Sequence, residues 1–531
     1  MKSNSRTFAI ALAITIAASL SGGHTSFAQD ESDRQLGRVH FETSCNETAQ
    51  RRFDRGMRYQ HSFWYRESKA IFEDVLQADA ECAIAYWGIA LSLLYNPHAP
   101  PPPENLPLGL TALQKGKATG AKTQRERDYI DALLALYTDY DKIDRRTRVQ
   151  AYLKAMESLA QAYPNDDEAQ IGYAITLNVA ASPADKTYAD QLKGAAILEP
   201  IFKRKPQHPG VAHYLIHLYD YPPIAEKGLD AAQRYAKIAP AAPHAQHMPS
   251  HIFTRVGYWK ESIASNIASV RAAKADKELD DEMHGMDYLV YAYLQLGQDK
   301  NARAVVDDSL ATGGYKRFSG YYARAASEAR YAVERGDWKA ATELQVLPSP
   351  IAYADAVTYF ARALGAARSG HAGGAGQNIA KLIELRDKLR EQKDIYWSEI
   401  VDIQRQVATA WALYADGKYD EALTTMSVAA DTEDKTEKHP VTPGPLAPAR
   451  ELYGAMLLDR GMAAEALAAF EATLKKEPRR LNATIGAAKS AEKLGDAAKA
   501  QQYYADAVAL TDNADPVTPE IAYARAFVEK R

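Results

Sequence analysis

The sequence predicts an all-α protein, built as a solenoid of helical hairpins around a concave groove. Nearly every long stretch carries apolar residues at helical spacing, and none shows the alternation of a half-buried strand. The stretches are rich in Ala, Leu and Tyr. The chain also repeats itself with a period of 34 residues: Gly461, Ala466 and Phe470 return as Gly495, Ala500 and Tyr504.

The same spacing of a glycine, a small residue and a larger residue recurs along the chain. It is found at Gly257/Ser262/Asn266, Gly297/Ala302/Val306, Gly370/Ala375/Ile379 and Gly417/Ala422/Met426, in part at Gly336/Ala341, and Ser68/Phe72 fit a first unit. This pattern resembles the tetratricopeptide repeat, which places these residue types at positions 15, 20 and 24. The segments HSFWYRESKAIF and HAQHMPSHIFTRVGYW look like those of exported bacterial tetratricopeptide proteins of unassigned biochemical role. The resemblance implies helix pairs that must stack to bury their apolar faces.

Composition divides the chain into four parts. Lys2 and Arg6 precede a short apolar stretch, and small residues up to Ala28 suit a cleavage site, so residues 1–28 are predicted to be a signal peptide. A retained membrane anchor is the alternative, but the apolar stretch is too short for comfortable insertion. Residues 29–436 form the main array of irregular repeats, 437–448 a Pro-rich linker, and 449–531 a C-terminal pair of regular repeats. We expect a periplasmic or secreted protein without stable membrane insertion.

Two cysteines, Cys45 and Cys82, both lie early in the predicted mature chain. In an oxidising compartment an isolated pair is most simply a disulfide. Such a bond would join the N-terminal segment to the second repeat. Two free buried thiols are the alternative, and no CxxC redox or zinc motif is present.

The charge balance and the absent motifs restrict the function. The formal net charge of −4, with mixed signs, argues against nucleic acid as a partner. The sequence contains no GxxxxGK[ST] or GxSxG motif. HExxH is also missing, since Tyr214 follows His213, and this speaks against a zincin-type hydrolase. The sequence therefore leaves open whether the protein is an enzyme.

Five of the 13 histidines fall within 39 residues: His213, His217, His244, His247 and His251. The repeat frame puts His213 and His247 at position 5 of successive units and His217 and His251 at position 9. The family resemblance implies that these positions face the groove. Their i, i+4 spacing independently puts each pair on one face of a helix.

Two adjacent helices that each present an HxxxH pair predict a transition-metal site, in which the imidazoles bracket one ion. Asp220 continues the face, either as an oxygen ligand or as an acceptor that orients a histidine. Imidazole ligation suits zinc, our first expectation, or copper or iron. Further groove candidates follow from the same frame: His61, Trp87, His284, Asp287 and Tyr291. Trp87 is more simply a packing residue.

Two other interpretations of the histidines remain open. They could recognise an anionic or peptide ligand, or serve as structural hydrogen-bonding groups. The alternative function is a protein- or peptide-binding scaffold in the cell envelope, with no metal and no catalysis. Pro249 also departs from the repeat pattern, and a helix that begins there would leave His244 and His247 in a loop. The histidines His98, His208, His371 and His439 are expected to be structural.

Overall fold

The computed structural model describes residues 35–370 and 372–530, and every regular element in these ranges is a helix. The predicted signal peptide, residues 1–28, and His371 lie outside the described residues. Within the described ranges, no helix combines the length and the apolar composition that crossing a bilayer requires.

The N-terminal half of the array runs to the region of the histidines. Its helices are α1 (Glu47–His61), α2 (Tyr65–Ala78), α3 (Ile84–Leu93), α4 (Asn105–Thr119), α5 (Gln124–Tyr137), α6 (Arg145–Ala162), α7 (Asp167–Ala180), α8 (Ala189–Arg204), α9 (Pro209–Tyr219), a 3-10 helix (Pro222–Gly228), α10 (Leu229–Ile238), α11 (Pro243–His247) and α12 (Pro249–Arg255).

The C-terminal half continues with longer hairpins. Its helices are α13 (Trp259–Asp276), α14 (Leu279–Gln295), α15 (Asp299–Ala311), α16 (Phe318–Glu334), α17 (Trp338–Glu343), α18 (Ala352–Arg368), α19 (Ala372–Glu391), α20 (Ile395–Ala415), α21 (Tyr419–Lys435), α22 (Ala449–Asp459), α23 (Ala463–Lys476), α24 (Leu481–Lys493), α25 (Ala497–Leu510) and α26 (Pro519–Glu529).

The predicted repeat frame is confirmed at its turns. All seven glycines assigned to position 15 have φ between 65° and 78°, a left-handed conformation that favours glycine: Gly257, Gly297, Gly336, Gly370, Gly417, Gly461 and Gly495. The small residues at position 20 are fully buried, among them Ser262, Ala302, Ala422 and Ala466. The chain is therefore an all-α solenoid of tetratricopeptide type.

Large residues at position 24 hold neighbouring hairpins together. The ring of Phe470 fits between Gly454 and Gly486, and a Cβ atom at Gly486 would lie 2.4 Å from the ring. Phe72 packs in the same way between Gly56 and Gly88 near the other end of the chain. Only glycine, which has no side chain, allows the ring to approach this closely. The two glycines and the ring between them therefore fix how successive units stack.

The predicted disulfide between Cys45 and Cys82 is present, with Cα atoms 5.1 Å apart. It ties the segment before α1 to the turn between α2 and α3. The bond therefore ties the N-terminal segment to the start of the second repeat, as the sequence predicted.

The superhelix folds back on itself, which encloses the groove. The indole nitrogen of Trp259 donates to the carbonyl of Arg479 (2.9 Å), and Asp515 donates from its backbone to Gly297 (2.9 Å). Buried Arg480 joins Glu334 and Glu451 at 2.8 Å each. The C-terminal repeats are thus held against the middle of the array, where the clustered histidines lie.

The Pro-rich segment 437–448 lies across the concave surface between α21 and α22, and much of it is buried. Arg330 donates to the carbonyl of Pro445 (2.9 Å), and the hydroxyl of Tyr288 lies 3.2 Å from the carbonyl of Pro440. Glu437 pairs with Lys186, in the connection between α7 and α8 (2.9 Å). We refer to residues 437–448 as the strap, because they link opposite sides of the groove.

Candidate metal centre

The histidines lie on four helices that meet in the enclosed groove, α9, α11, α12 and α14. α9 bears His213 and His217, and it begins at Pro209 after the side chain of His208 caps its N-terminus. His244 and His247 lie on α11, and His251 lies on α12. Pro249 does interrupt this stretch, since it has no N–H to donate, yet His244 and His247 lie on a short helix rather than in a loop.

Site A consists of His213, His217 and His244. The Nε2 atom of His213 lies 3.1 Å from the Nε2 atoms of both other histidines, and the potential ligand atoms all lie within 4.8 Å of one another. An ion at 2.0–2.1 Å from two such atoms would make an N–metal–N angle of about 100°. An opening of roughly 0.3 Å between the nitrogens would make that angle tetrahedral.

Site B consists of His247, His251 and His284, the last from α14. The Nε2 atoms of His247 and His251 are 3.0 Å apart. The ring centroids of His247 and His284 are 4.3 Å apart, and the three potential ligand atoms again lie within 4.8 Å of one another. The buried Nδ1 of His284 has no hydrogen-bond partner among the described residues, which leaves it available for ligation.

The structure thus divides the predicted cluster into two three-histidine sites. The prediction of one ion bracketed by His213, His217, His247 and His251 is replaced by this arrangement, because the four nitrogens do not converge on a single point. Each HxxxH pair instead recruits its third histidine from another helix. His284, predicted only as a groove candidate, belongs to site B.

Hydrogen bonds fix the proton positions on three of the rings. His213 Nδ1 lies 2.7 Å from the carbonyl oxygen of His61, and His251 Nδ1 lies 2.9 Å from Oδ2 of Asp220. Both oxygens can only accept, so each Nδ1 carries the proton. His247 Nδ1 lies 2.7 Å from Oδ1 of Asn266, whose own amide nitrogen donates to the carbonyl of Ser262. All three Nε2 atoms therefore present lone pairs.

At site B this leaves the lone pairs of His247 and His251 pointing at each other across 3.0 Å. Two lone pairs at that distance repel, and a cation between them turns the repulsion into ligation. At site A, the single lone pair of His213 faces two nitrogens but can accept one N–H. Outer acceptors that hold Nδ1–H and aim Nε2 inward are the arrangement by which proteins orient metal-binding imidazoles.

Burial keeps the imidazoles neutral. Desolvation lowers the pKa of His213 to about 3, and it lowers the pKa values of His217, His244 and His247 well below the usual value. Burial also lowers the pKa of His251, although the carboxylate of Asp220 works in the other direction. Protonation of His247 or His251 is therefore an unfavourable way to remove the repulsion between their lone pairs. Neutral imidazole is also the form that ligates metals.

Aromatic rings surround both sites. Phe63, in the turn after α1, packs against His213 and His244 with ring centroids 4.3 Å and 5.0 Å apart. Tyr288 packs against His247 at 4.7 Å. The ring of His98 lies over His217 at 4.5 Å. These contacts cover one side of four of the site histidines and restrict the orientation of their rings.

Asp220 acts as an acceptor and has no direct place in either site. Its carboxylate accepts from His251 and from Arg255 (2.8 Å), and Lys438 of the strap lies 3.4 Å away. Burial would raise the pKa of Asp220, but Lys438 and Arg255 hold it well below the usual range. Of the two predicted roles, the structure favours orientation of a histidine over ligation.

Three other predicted groove residues belong to separate contacts. Asp287 is fully buried and ion-paired with Arg330 (3.1 Å). The hydroxyl of Tyr291 lies 3.0 Å from a guanidinium nitrogen of Arg480. Trp87 packs against Phe41 with ring centroids 5.4 Å apart. None of the three lies in a three-residue histidine site of the described chain, and Trp87 is the packing residue that the sequence indicated.

His61 is part of a third group, with Glu168 and His208. The carboxylate oxygens of Glu168 lie 3.0 Å from His61 Nε2 and 2.9 Å from His208 Nε2. His208 Nδ1 accepts from the backbone N–H of Val211, so its Nε2 carries a proton and cannot ligate. This group braces α1 against α7 and α9. It also holds the carbonyl of His61 that accepts from His213.

Sequence reasoning missed Asn266, Phe63, Tyr288, Arg255 and Lys438 as parts of the centre. Asn266 did give a signal, because position 24 holds Val306, Met426 or Phe470 in other units and a fully buried asparagine there needs a polar partner. Arg255 and Tyr288 also gave a signal, because each follows a site histidine by four residues on the same helix, His251 on α12 and His284 on α14. Phe63 lies in the turn after α1 and Lys438 in the strap, and their contacts depend on the superhelical path, which local spacing does not encode.

Comparisons with known proteins return similarity of fold alone. No protein-family model and no curated protein sequence matches the chain. Among solved structures, yeast Tom70 is 12% identical, with 91% of this chain and 96% of that chain covered and a TM-score of 0.29. The Naa15/Naa10 complex bound to HypK-THB gives 10% identity, coverages of 95% and 93%, and a TM-score of 0.26. The TPR domain of P58(IPK) gives 15% identity, coverages of 69% and 99%, and a TM-score of 0.22.

Proposed function

We propose that this chain is an exported helical-repeat protein that binds transition-metal ions at sites A and B. The lone-pair contact of His247 with His251 carries the proposal, because each Nδ1 proton is held by an acceptor and the two Nε2 atoms are 3.0 Å apart. A divalent cation bound between these two Nε2 atoms would remove the repulsion between their lone pairs most effectively. Six imidazole donors in two sites give a capacity of two ions per chain.

The donor set favours a first-row transition metal. Imidazole nitrogen suits zinc, copper and iron, whereas calcium and magnesium require oxygen ligands. Each site offers three protein ligands and so leaves at least one position for an exogenous ligand, as catalytic zinc sites do. His244 and His284 are partly exposed, while the other four histidines are at most 4% exposed. The partly exposed pair would give solvent access to the ions.

An oxidising location is part of the same proposal. The Cys45–Cys82 disulfide supports export, because such bonds persist in the periplasm and outside the cell. The short apolar N-terminal segment with its preceding Lys2 and Arg6 supports it independently.

The rival function, a metal-free scaffold for an extended peptide or an envelope protein, has less support at this groove. The strap already lies there, and Arg330 and Tyr288 contact its backbone. A peptide in the same place would have to displace these contacts. The histidine nitrogens would also keep their lone-pair conflict unless the peptide supplied donors to both sites.

Elemental mass spectrometry tests the proposed function. The chain from Gln29 onward would be purified without a polyhistidine tag, exposed to zinc or copper, and desalted. We expect two ions per chain in the parent and one ion in each of two double variants, His213→Ala/His217→Ala and His247→Ala/His251→Ala. His40→Ala is the matched control, because His40 is two-thirds exposed and pairs with Asp54 away from the centre. A parent without metal after loading would refute the proposal.

A further inference from the structure

Sites A and B lie side by side. The rings of His217 in site A and His251 in site B have centroids 6.3 Å apart, and so do those of His244 and His247. His244 and His247 are neighbours on one turn of α11, and yet they belong to different sites. Because an ion lies about 3 Å from the centroid of a ligating imidazole, ring separations of 6.3 Å allow two ions bound here to come within bridging distance of each other.

Two divalent ions at sites A and B would require an anion to compensate their positive charge. All six donors are imidazoles that burial keeps neutral, so two divalent ions would introduce four uncompensated positive charges. Asp220 is close, but its carboxylate is shared with Arg255 and Lys438. Closely spaced cations in a buried site are stable when negatively charged ligands lie between them.

We infer that the two ions form one dinuclear centre, bridged by hydroxide or by another small anion that replaces it. The inference rests on the proposed metal function and adds that neither ion acts independently. The bridging hydroxide forms when a water molecule that binds both ions releases one proton to solvent. Ions about 3.5–4 Å apart are the usual spacing for such bridges. Access past His244 and His284 suits a small ligand.

Electron paramagnetic resonance of the copper-loaded protein tests the bridge. The full mature chain would be loaded with Cu²⁺, desalted, and measured for copper content and for unpaired spins. We expect two copper ions per chain and the loss of most of the unpaired-spin signal that two isolated ions would give, because a bridging hydroxide couples the two spins antiparallel. His40→Ala should behave like the parent.

The single-site variants supply the comparison. His213→Ala/His217→Ala and His247→Ala/His251→Ala should each retain one copper ion with a full spin count, because the coupling partner is gone. A parent with two copper ions and a full, uncoupled spin count would overturn the dinuclear inference and leave the metal function standing. A parent that binds no copper would overturn both. The parent measurement decides between these outcomes even if a variant fails to fold.

Discussion

The Nε2 atoms of His247 and His251 lie 3.0 Å apart, and each ring donates its Nδ1–H to a separate acceptor, Asn266 or Asp220. The two acceptors therefore decide which nitrogens face each other. Their removal should weaken metal binding without the loss of any ligand. Removal of a histidine, in contrast, should abolish the site to which it belongs.

Asn266→Leu should weaken metal binding at site B by about 10- to 100-fold, because His247 loses the acceptor that orients its ring. Asn266→Asp is the matched control, since its carboxylate can still accept from Nδ1. Competition with a chelator of known affinity would measure both. If the leucine variant bound two ions as tightly as the parent, Asn266 would have no part in orienting the ligand.

Asp220→Ala should destabilise the metal-free protein by roughly 3–5 kcal/mol, because Arg255 and Lys438 would stay buried beside an uncompensated position. Chemical denaturation in the presence of a chelator would give the change in the free energy of unfolding. Asp230→Ala, at an exposed residue paired with Arg234, is the control and should change stability by less than about 1 kcal/mol. If Asp220→Ala and the parent had the same free energy of unfolding, Asp220 would not be the main counter-charge to Arg255 and Lys438.

The repeat geometry could be predicted from the sequence because it is local. A turn glycine such as Gly461 needs a left-handed φ, and a small residue such as Ala466 is needed five residues later where the helices cross. Cys45 and Cys82 were paired correctly since no other cysteine competes. These features depend on short spacings and on residue type, and both are visible in the sequence.

The composition of the candidate metal centre could be predicted only in part. Positions 5 and 9 selected His213 and His217, whose Nε2 atoms lie 3.1 Å apart, but the same positions also selected Asp287 and Tyr291, which pair with arginines instead. The division into two sites depends on how α11, α14 and the strap converge. That convergence follows from the superhelical path and from Pro249, and no residue spacing encodes it.

Metal binding should persist below the ordinary pKa of histidine, near 6.5. Burial lowers the pKa of His213 to about 3, so protons compete with the metal only at more acidic pH than at a solvent-exposed site. Bound zinc measured after equilibration at stepwise lower pH should stay nearly constant down to about pH 5. A release midpoint near pH 6.5 would contradict the buried, neutral character of the ligands.

Cys45→Ser/Cys82→Ser should lower the free energy of unfolding by about 3–4 kcal/mol, as expected for a link across 37 residues. The variant should still bind two metal ions, because the disulfide lies outside both sites. Thermal denaturation and elemental analysis of the same sample would test both statements. A loss of metal binding with an unchanged free energy of unfolding would mean that the disulfide supports the metal sites and does not stabilise the fold.

Anomalous X-ray diffraction from metal-loaded crystals, recorded at the absorption edge of the metal, would locate the ions at the two proposed sites. We expect two peaks in the groove, each about 2.0–2.1 Å from three histidine nitrogens, one set from His213, His217 and His244 and the other from His247, His251 and His284. A single peak coordinated by histidines of both sets, or no peak at either set in metal-loaded crystals, would contradict it.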